Sequence, residues 1–406
     1  MKSFARFLNY VKINTMSDPN STSHPSTKCQ FNLGKVLVDE LLDLGVTNAY
    51  MDKYGYVYGY IPSNSKKDIK TIGFISHMDT SPDLTGENVN PRMIFNYNGE
   101  DVVLNEEKNI VMSVKEFPFL KNRVGETLIV TDGTTLLGAD DKAGIAEIMT
   151  LVEYIHDHKE FEHGMIRICF TPDEEIGEGT SKFNYEEFKV DFAYTVDGGA
   201  EGSIDYENFN AASADVEING INIHPGSAKG HMINSILIAM EFNNLLPSFN
   251  KPENTTMYEG FNHLNDIEGT VENTKMHYII RNHDKELFNK QKQNFLDIQE
   301  FLNKKYETNP VKVTIKDTYY NMYEYLKDHM EIVDIAKEAT IMEGIAPIIS
   351  PIRGGTDGAT LTYNNILCPN LGTGGYNCHG RYECITTEAM DRCVNILINI
   401  VKIISR

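Results

Sequence analysis

The sequence of 406 residues contains no tryptophan, few cysteines and far fewer basic than acidic side chains. It has 37 lysines and arginines but 58 aspartates and glutamates, so the formal net charge is −21. Nucleic acids and anionic membranes bind clustered basic residues, so this balance argues against both as partners. An acidic excess also keeps many proteins soluble, and acidic clusters that hold cations would account for only part of it.

The six cysteines are scattered along the chain, and none forms a C-x-x-C pair. A thiolate zinc site is therefore not expected, and the sparse pattern suits a reducing compartment. No apolar run reaches membrane-spanning length, and residues 1–11 lack the unbroken apolar segment of a secretory signal. We therefore expect a cytoplasmic protein without a membrane partner.

Hydrophobic periodicity predicts an α/β domain with a largely parallel sheet. Three short apolar runs are typical of strands buried on both faces: residues 71–76, 165–170 and 192–196. An amphipathic helix, with apolar residues from Ile145 to Ile155, lies between the first two runs. Strands that alternate with helices imply a mostly parallel sheet. The same character returns near the C-terminus, with a strand candidate at residues 365–369 and a closing helix.

The middle of the chain has a different pattern. Apolar residues alternate there with the period of half-exposed strands, and helical stretches occur at about 231–246 and 284–304. We expect residues 209–320 to form an inserted α+β unit with an open-faced sheet. Residues 1–208 and 321–406 would then build the α/β domain around it.

Polar residues follow the predicted strands directly: His77 and Asp79 after the first, Asp173, Glu174 and Glu175 after the second, and Asp197 after the third. Ligands of open α/β sheets bind just beyond the carboxyl ends of the strands. Two further candidates are the pair Asp140 and Asp141 at the start of the predicted helix and His379 near the C-terminus. We expect the catalytic or metal-binding residues at these positions.

Each of these candidates has a structural alternative. His77 and Asp79 point to the same side of an extended segment, so Asp79 can orient the His77 ring while its other nitrogen binds a metal. A structural His–Asp pair is the other interpretation. Asp140 and Asp141 either cap the helix or provide a carboxylate that bridges two cations.

The acidic run after the second strand also has two interpretations. Consecutive acids repel one another and are easier to explain around a cation, although solvated acidic loops are commoner. With a cation present, one of Glu174 and Glu175 can be a ligand while its neighbour acts as general base. Asp197 also fits a turn, and a lone histidine such as His379 is more often structural. Together, the histidines and carboxylates favour Zn, Mn or Co over Ca or Mg.

The combined pattern resembles the M20 metallopeptidase family. The resemblance is carried by segments in family order over nearly the whole chain: His77-Met78-Asp79, Gly138-Ala139-Asp140-Asp141-Lys142, Asp173-Glu174-Glu175, Asp197-Gly198, His224-Pro225-Gly226, Arg353-Gly354-Gly355-Thr356-Asp357 and Asn377-Cys378-His379. It implies a peptidase domain with a mixed, largely parallel sheet. It also implies that the insertion is a ferredoxin-like lid and dimerisation domain, so a homodimer is a further expectation.

The resemblance also implies a di-metal centre and a role for each residue at a matching position. The implied ligands are Asp140 bridging both ions, His77 and Asp197 at one ion, and Glu175 and His379 at the other. The implied catalytic pair is Glu174 as general base and Asp79 as the partner of His77. The implied cofactor is two Zn²⁺ per subunit, with Co²⁺ or Mn²⁺ as alternatives.

The implied activity is the removal of N-terminal residues from short peptides, tripeptides above all. His224 and Arg281 of the insertion, with Arg353 and Asn377 of the α/β domain, would contact the substrate. His224 would help to stabilise the oxyanion, and the two arginines would bind the peptide carboxylate, which a guanidinium matches in bidentate fashion.

Two departures and two alternatives qualify this expectation. Cys378 replaces an aromatic or aliphatic residue beside His379, and Asn282 stands where the family tends to have an aspartate. A dipeptidase, carboxypeptidase or N-acyl amino-acid deacylase would use identical metal chemistry. A catalytically dead binding module would lack Glu174 or a ligand, yet every expected position is filled.

Overall fold

The structure is a computed structural model that describes residues 1–406 and divides them into two compact units. The first unit comprises residues 1–206, 325–350 and 356–406, and the second comprises residues 207–324 and 351–355. No helix in either unit has both the length and the apolar composition needed to cross a membrane.

The strands, in chain order, are β1 (Tyr50–Met51), β2 (Val57–Ile61), β3 (Ile72–His77), β4 (Arg92–Ile94), β5 (Val102–Asn105), β6 (Ile110–Met112), β7 (Leu128–Val130), β8 (Ile166–Thr171), β9 (Phe192–Val196), β10 (Ile204–Asp205), β11 (Asn210–Asn219), β12 (Phe261–Gly269), β13 (Asn273–Asn282), β14 (Val311–Tyr319), β15 (Asn370–Leu371) and β16 (Ile385–Thr386). The helices are α1 (Ser3–Tyr10), α2 (Gln30–Asp43), α3 (Ala139–Asp157), α4 (Ser235–Leu245), α5 (Lys285–Tyr306), α6 (Tyr323–Leu326), α7 (Glu331–Met342), α8 (Asp357–Tyr363) and α9 (Thr387–Ile404).

A seven-stranded sheet with the order β1-β2-β8-β3-β9-β15-β10 forms the centre of the first unit. Strands β8, β3, β9 and β15 pair in parallel, whereas β1, β2 and β10 are antiparallel to their neighbours. Strands β3, β8 and β9 are buried along almost their whole length, as expected for strands covered on both faces. The predicted α/β fold with a mixed, largely parallel sheet is confirmed.

Helix α3 packs its predicted apolar face into the core of the first unit. Ile145, Ile148, Met149 and Val152 are almost completely buried there, together with Ile155. Their spacing of three and four residues places them on one side of the helix. Because α3 begins at Ala139, its first turn carries Asp140 and Asp141.

One strand prediction is wrong in position. Residues 365–369 do not form a strand, and β15 follows them at Asn370–Leu371. The segment nevertheless accepts hydrogen bonds from β9, from Ala193 N–H to Leu367 O at 2.9 Å and from Thr195 N–H to Pro369 O at 3.2 Å. Its apolar residues are therefore buried by pairing that is too irregular for a named strand.

The second unit is built on an antiparallel sheet with the order β12-β13-β11-β14. Side chains of β13 and β14 alternate between more and less buried positions, because α4 and α5 share a core with one face of the sheet. Asn234 caps α4 and Asp284 caps α5, each through its side-chain oxygen. This architecture agrees with the predicted open-faced α+β insertion.

Candidate metal centre

The carboxyl ends of three parallel strands bring the candidate residues to one edge of the sheet in the first unit. Strand β3 ends at His77, β8 leads into the single turn Glu174–Ile176, and β9 is followed directly by Asp197. The start of α3 adds Asp140. Side chains that are far apart in the sequence thus meet because parallel strands end on the same side.

Two groups of three side chains form at this edge, and Asp140 belongs to both. One group contains His77, Asp140 and Asp197, and the other contains Asp140, Glu175 and His379; within each group the ligand atoms lie within 4.8 Å of one another. His77 Nε2 is 2.9 Å from Asp140 Oδ1, and His379 Nε2 is 3.3 Å from Asp140 Oδ2. Each oxygen of Asp140 therefore faces a different histidine.

The remaining distances complete the two groups. His77 Nε2 lies 3.5 Å from Asp197 Oδ1, and His379 Nε2 lies 2.9 Å from Glu175 Oε2. The other oxygen of Glu175, Oε1, is buried and has no hydrogen-bond partner. An uncompensated buried carboxylate oxygen is costly, and two imidazoles with three carboxylates are a donor set that zinc-type cations prefer. The residues present therefore fit a pair of such ions.

The charges of the cluster shift the pKa values of its members. Hydrogen bonds to Asp140 and Glu175 raise the pKa of His379 to about 11. Burial acts to raise the pKa of Asp140, but hydrogen bonds from His379 and His77 outweigh it and hold that pKa well below its usual range. Burial raises the pKa of Glu174. The contacts of the two histidines with these carboxylates therefore offset part of the repulsion among them.

Asp79 connects two parts of the cluster. Its buried carboxylate accepts hydrogen bonds from the backbone N–H groups of Glu174 at 2.9 Å and Glu175 at 3.2 Å. His77 Nδ1 lies 3.4 Å from Asp79 Oδ1 but closer, at 3.1 Å, to the backbone carbonyl oxygen of Asp79. Asp79 therefore orients the imidazole mainly through its main chain, and its carboxylate fixes the turn that carries both glutamates.

Two further carboxylates support the centre. The buried Glu383 accepts the backbone N–H groups of Leu137 at 2.7 Å, Gly138 at 2.8 Å and Asp140 at 3.0 Å. Asp141 accepts the backbone N–H of His77 at 3.1 Å and a hydrogen bond from the Ser76 hydroxyl. Sequence reasoning missed Glu383, because it follows no predicted strand and belongs to no recognised motif.

The predicted substrate residues are divided between the units. Asn377 lies in the first unit, where its Nδ2 donates to Tyr382 O at 3.0 Å. His224 and Arg281 lie in the second. His224 is exposed, while the guanidinium of Arg281 lies 5.4 Å from the centre of the Tyr319 ring.

The placement of Arg353 in the α/β domain is wrong. Residues 351–355 belong to the second unit, because Ile352 N–H donates to Glu207 O at 2.8 Å. Arg353 donates from Nη1 to the carbonyl oxygens of Met257 at 2.7 Å and Glu259 at 2.9 Å, and from Nη2 to Thr255 Oγ1 at 2.9 Å.

Comparison with known proteins gives this geometry its context. Residues 130–403 match the model of peptidase family M20/M25/M40. The chain belongs to this family. As an M20 protein it is 55% identical to Peptidase T of Caldanaerobacter subterraneus over 398 residues, which are 98% of this chain and 97% of that relative. It is 52% identical to Peptidase T of Halothermothrix orenii, with 98% of both chains covered. The expected family is confirmed.

Solved peptidase structures share the fold. The aminopeptidase PepT from Bacillus cereus superposes with a TM-score of 0.79 at 22% identity, covering 100% of this chain and 98% of that one. A tripeptidase from Staphylococcus aureus gives a TM-score of 0.76 at 21% identity, with the same coverage. A dinuclear metal-binding peptidase of the family from Bacillus subtilis gives 0.64 at 14% identity, covering 99% of this chain and 97% of that chain.

Replacing Glu383 by Ala should lower the free energy of unfolding by about 3 kcal/mol or more, because three buried N–H groups lose their acceptor. Urea unfolding of the metal-free protein measures this change. Glu107→Ala, at an exposed position, is the control and should change the free energy by less than about 0.5 kcal/mol. Equal effects of the two substitutions would contradict a supporting role for Glu383.

Proposed function

We propose that this M20 protein is a metallo-aminopeptidase that removes the N-terminal residue of tripeptides. The main support is the shared position of Asp140 between two histidines, each of which also contacts a further carboxylate. The names of the relatives at 52–55% identity support the peptidase activity. The tripeptidase from Staphylococcus aureus, which shares the fold, supports the tripeptide length. We also infer a cytoplasmic location, in keeping with six cysteines that are all free.

The proposed ligands are the residues of the two groups. One ion would be held by His77, Asp140 and Asp197, and the other by Asp140, Glu175 and His379. Two such cations, when bound, lower the pKa of a water towards about 7 and polarise the scissile carbonyl group. Zinc is the proposed metal because imidazole and carboxylate donors suit it, with cobalt or manganese as alternatives.

Glu174 is the proposed general base. The backbone N–H of Glu174 donates a hydrogen bond to Asp79. Burial of the Glu174 carboxyl group raises its pKa. A raised pKa brings a carboxylate closer to the operating pH, where it can both accept and return a proton. Glu174 takes the proton from the attacking water and passes it to the nitrogen of the leaving amine, so one water is consumed for each peptide bond cleaved.

His224, Arg281, Arg353 and Asn377 are the proposed substrate contacts. Arg353 uses two N–H groups of Nη1 and one of Nη2 within the second unit, which leaves Nε–H and the second Nη2–H for a ligand. Nε–H and an Nη2–H on the same side of the guanidinium form a pair that binds a carboxylate in bidentate fashion. We infer that Arg281 and Arg353 recognise the carboxylate at the peptide C-terminus, which would limit substrate length. We also infer that His224 donates a hydrogen bond to the carbonyl oxygen under attack.

The metal proposal predicts the effect of removing one ligand. His379→Ala should reduce bound zinc from about two ions per chain to about one, because the group around His77 stays intact. Elemental analysis after dialysis against metal-free buffer measures the number of ions. His158→Ala, at an exposed position of the same unit, should keep the full number. Two ions retained by the His379 variant would remove this histidine from the ligand set.

The general-base proposal predicts a loss of turnover without a loss of metal. Glu174→Ala should lower kcat on a tripeptide by about 10²–10⁴-fold, while metal content stays normal because Glu174 belongs to neither ligand group. Glu178→Ala removes an exposed glutamate from the same loop and should leave kcat within about twofold. Wild-type turnover in the Glu174 variant would show that another group is the base.

The substrate proposal is tested with a panel of peptides whose products are identified by mass. Free tripeptides should lose their N-terminal residue, and N-acetylated tripeptides should resist cleavage. Release of the C-terminal residue, or hydrolysis of N-acyl amino acids, would instead establish the carboxypeptidase or deacylase alternative.

The same panel tests Arg353. Arg353→Ala should raise KM about tenfold or more for free tripeptides, the loss expected for a charged bidentate contact. C-terminally amidated tripeptides are the internal control, because they lack the carboxylate and should be affected much less. An equal change on both substrates would mean that Arg353 acts only through the loop at residues 255–259.

A further inference from the structure

Residues 17–30, the N-terminal segment, are hydrogen-bonded to Asp173, the residue that precedes Glu174. Asp173 is 1% exposed, and its carboxylate accepts the backbone N–H of Ser26 at 2.6 Å, the Ser26 hydroxyl at 2.5 Å and Gln30 Nε2 at 2.7 Å. In return, the N–H of Asp173 donates to Gln30 Oε1 at 3.2 Å. His24 Nδ1 lies 3.3 Å from the same carboxylate. Asp173 is thus held through both its side chain and its main chain.

The backbone at Asp173 has the left-handed conformation, with φ of 60° and ψ of 25°. Few residues other than glycine adopt this region, although aspartate does so more readily than most. Such a conformation persists where surrounding contacts fix it, and here the contacts come from Ser26 and Gln30. The direction in which the chain enters the turn Glu174–Ile176 is therefore set at Asp173.

The same N-terminal segment also contacts the loop that follows β3. Ser17 N–H donates to Thr80 O at 3.1 Å, next to Asp79, whose carboxylate accepts the N–H of Glu174. These contacts close a ring that passes from the segment through Thr80 and Asp79 to Glu174 and back through Asp173. Glu174 is consequently fixed from both sides, once by its own N–H and once by the residue before it.

We propose that Ser26 and Gln30 are positioning residues that act through Asp173 to hold the Glu174 carboxylate in place for proton transfer. The inference rests on the proposed function, in which Glu174 is the base. Displacement of a reacting group by about 1 Å can cost about a hundredfold in rate. A closed ring of hydrogen bonds through Asp173 and Glu174 fixes the position of the base more tightly than an isolated turn would.

Two substitutions in the segment test the proposal. Ser26→Ala removes the hydroxyl donor, and Gln30→Leu removes both contacts of Gln30 with Asp173 at similar volume. Each should lower kcat on a tripeptide by about tenfold to a hundredfold, while KM changes by less than about threefold, because Glu174 acts on the reacting atoms rather than in substrate binding. Ser26→Thr keeps the hydroxyl and should restore most of the rate. Thr22→Ala, an exposed hydroxyl in the same segment, should have wild-type kcat.

Amide hydrogen exchange of the metal-free protein gives a readout that does not depend on activity. The N–H groups of Glu174 and Glu175 should exchange at least about tenfold faster in the Ser26 and Gln30 variants, whereas those of β8 should keep wild-type rates. Equal acceleration in β8 would mean general destabilisation and would overturn the proposal, as would folded variants with wild-type kcat and exchange. If the wild-type protein cleaves no tripeptide, the proposed function fails, and exchange alone then decides whether the segment holds the loop.

Discussion

Carboxylates that are crowded and buried repel one another, and the arrangement of the candidate metal centre has to offset this repulsion. Asp140, Glu174, Glu175 and Asp197 lie in one region where burial acts to raise the pKa of each. Each negative charge there needs a positive or hydrogen-bonding partner. Two histidines are in direct contact with these carboxylates, and the proposed cations would supply the positive charge.

Three further carboxylates hold the loops that carry the candidate ligands. Asp79, Asp141 and Glu383 do not join either group of three but accept backbone N–H groups around it. Such bonds fix the loops at the strand ends. Asp173 extends this arrangement by one step, since its acceptors are used by the N-terminal segment.

Much of this arrangement could be predicted from the sequence because buried parallel strands are uniformly apolar. The runs at 71–76 and 165–170 differ by one residue from β3 and β8, and the third coincides with β9. The polar residues after each strand indicated the position of the candidate site. The five predicted ligands lie together there: His77, Asp140, Glu175, Asp197 and His379. Their metal-binding roles remain predictions.

What the sequence could not reveal depends on distant contacts. Glu383 and Leu137 are 246 positions apart, and nothing near Glu383 indicates its partners. The placement of Arg353 failed for the same reason, because a five-residue return of the chain has no periodicity of its own. The contacts of Ser26 and Gln30 with Asp173 were not predictable either, since these residues lie 147 and 143 positions before Asp173 in the sequence.

The return at residues 351–355 means that the backbone passes between the two units four times rather than twice. Excision of residues 207–324 alone would separate Arg353 from the carbonyl oxygens it binds at Met257 and Glu259. A polypeptide designed to reproduce the second unit by itself therefore has to join two separate stretches of the chain, residues 207–324 and 351–355.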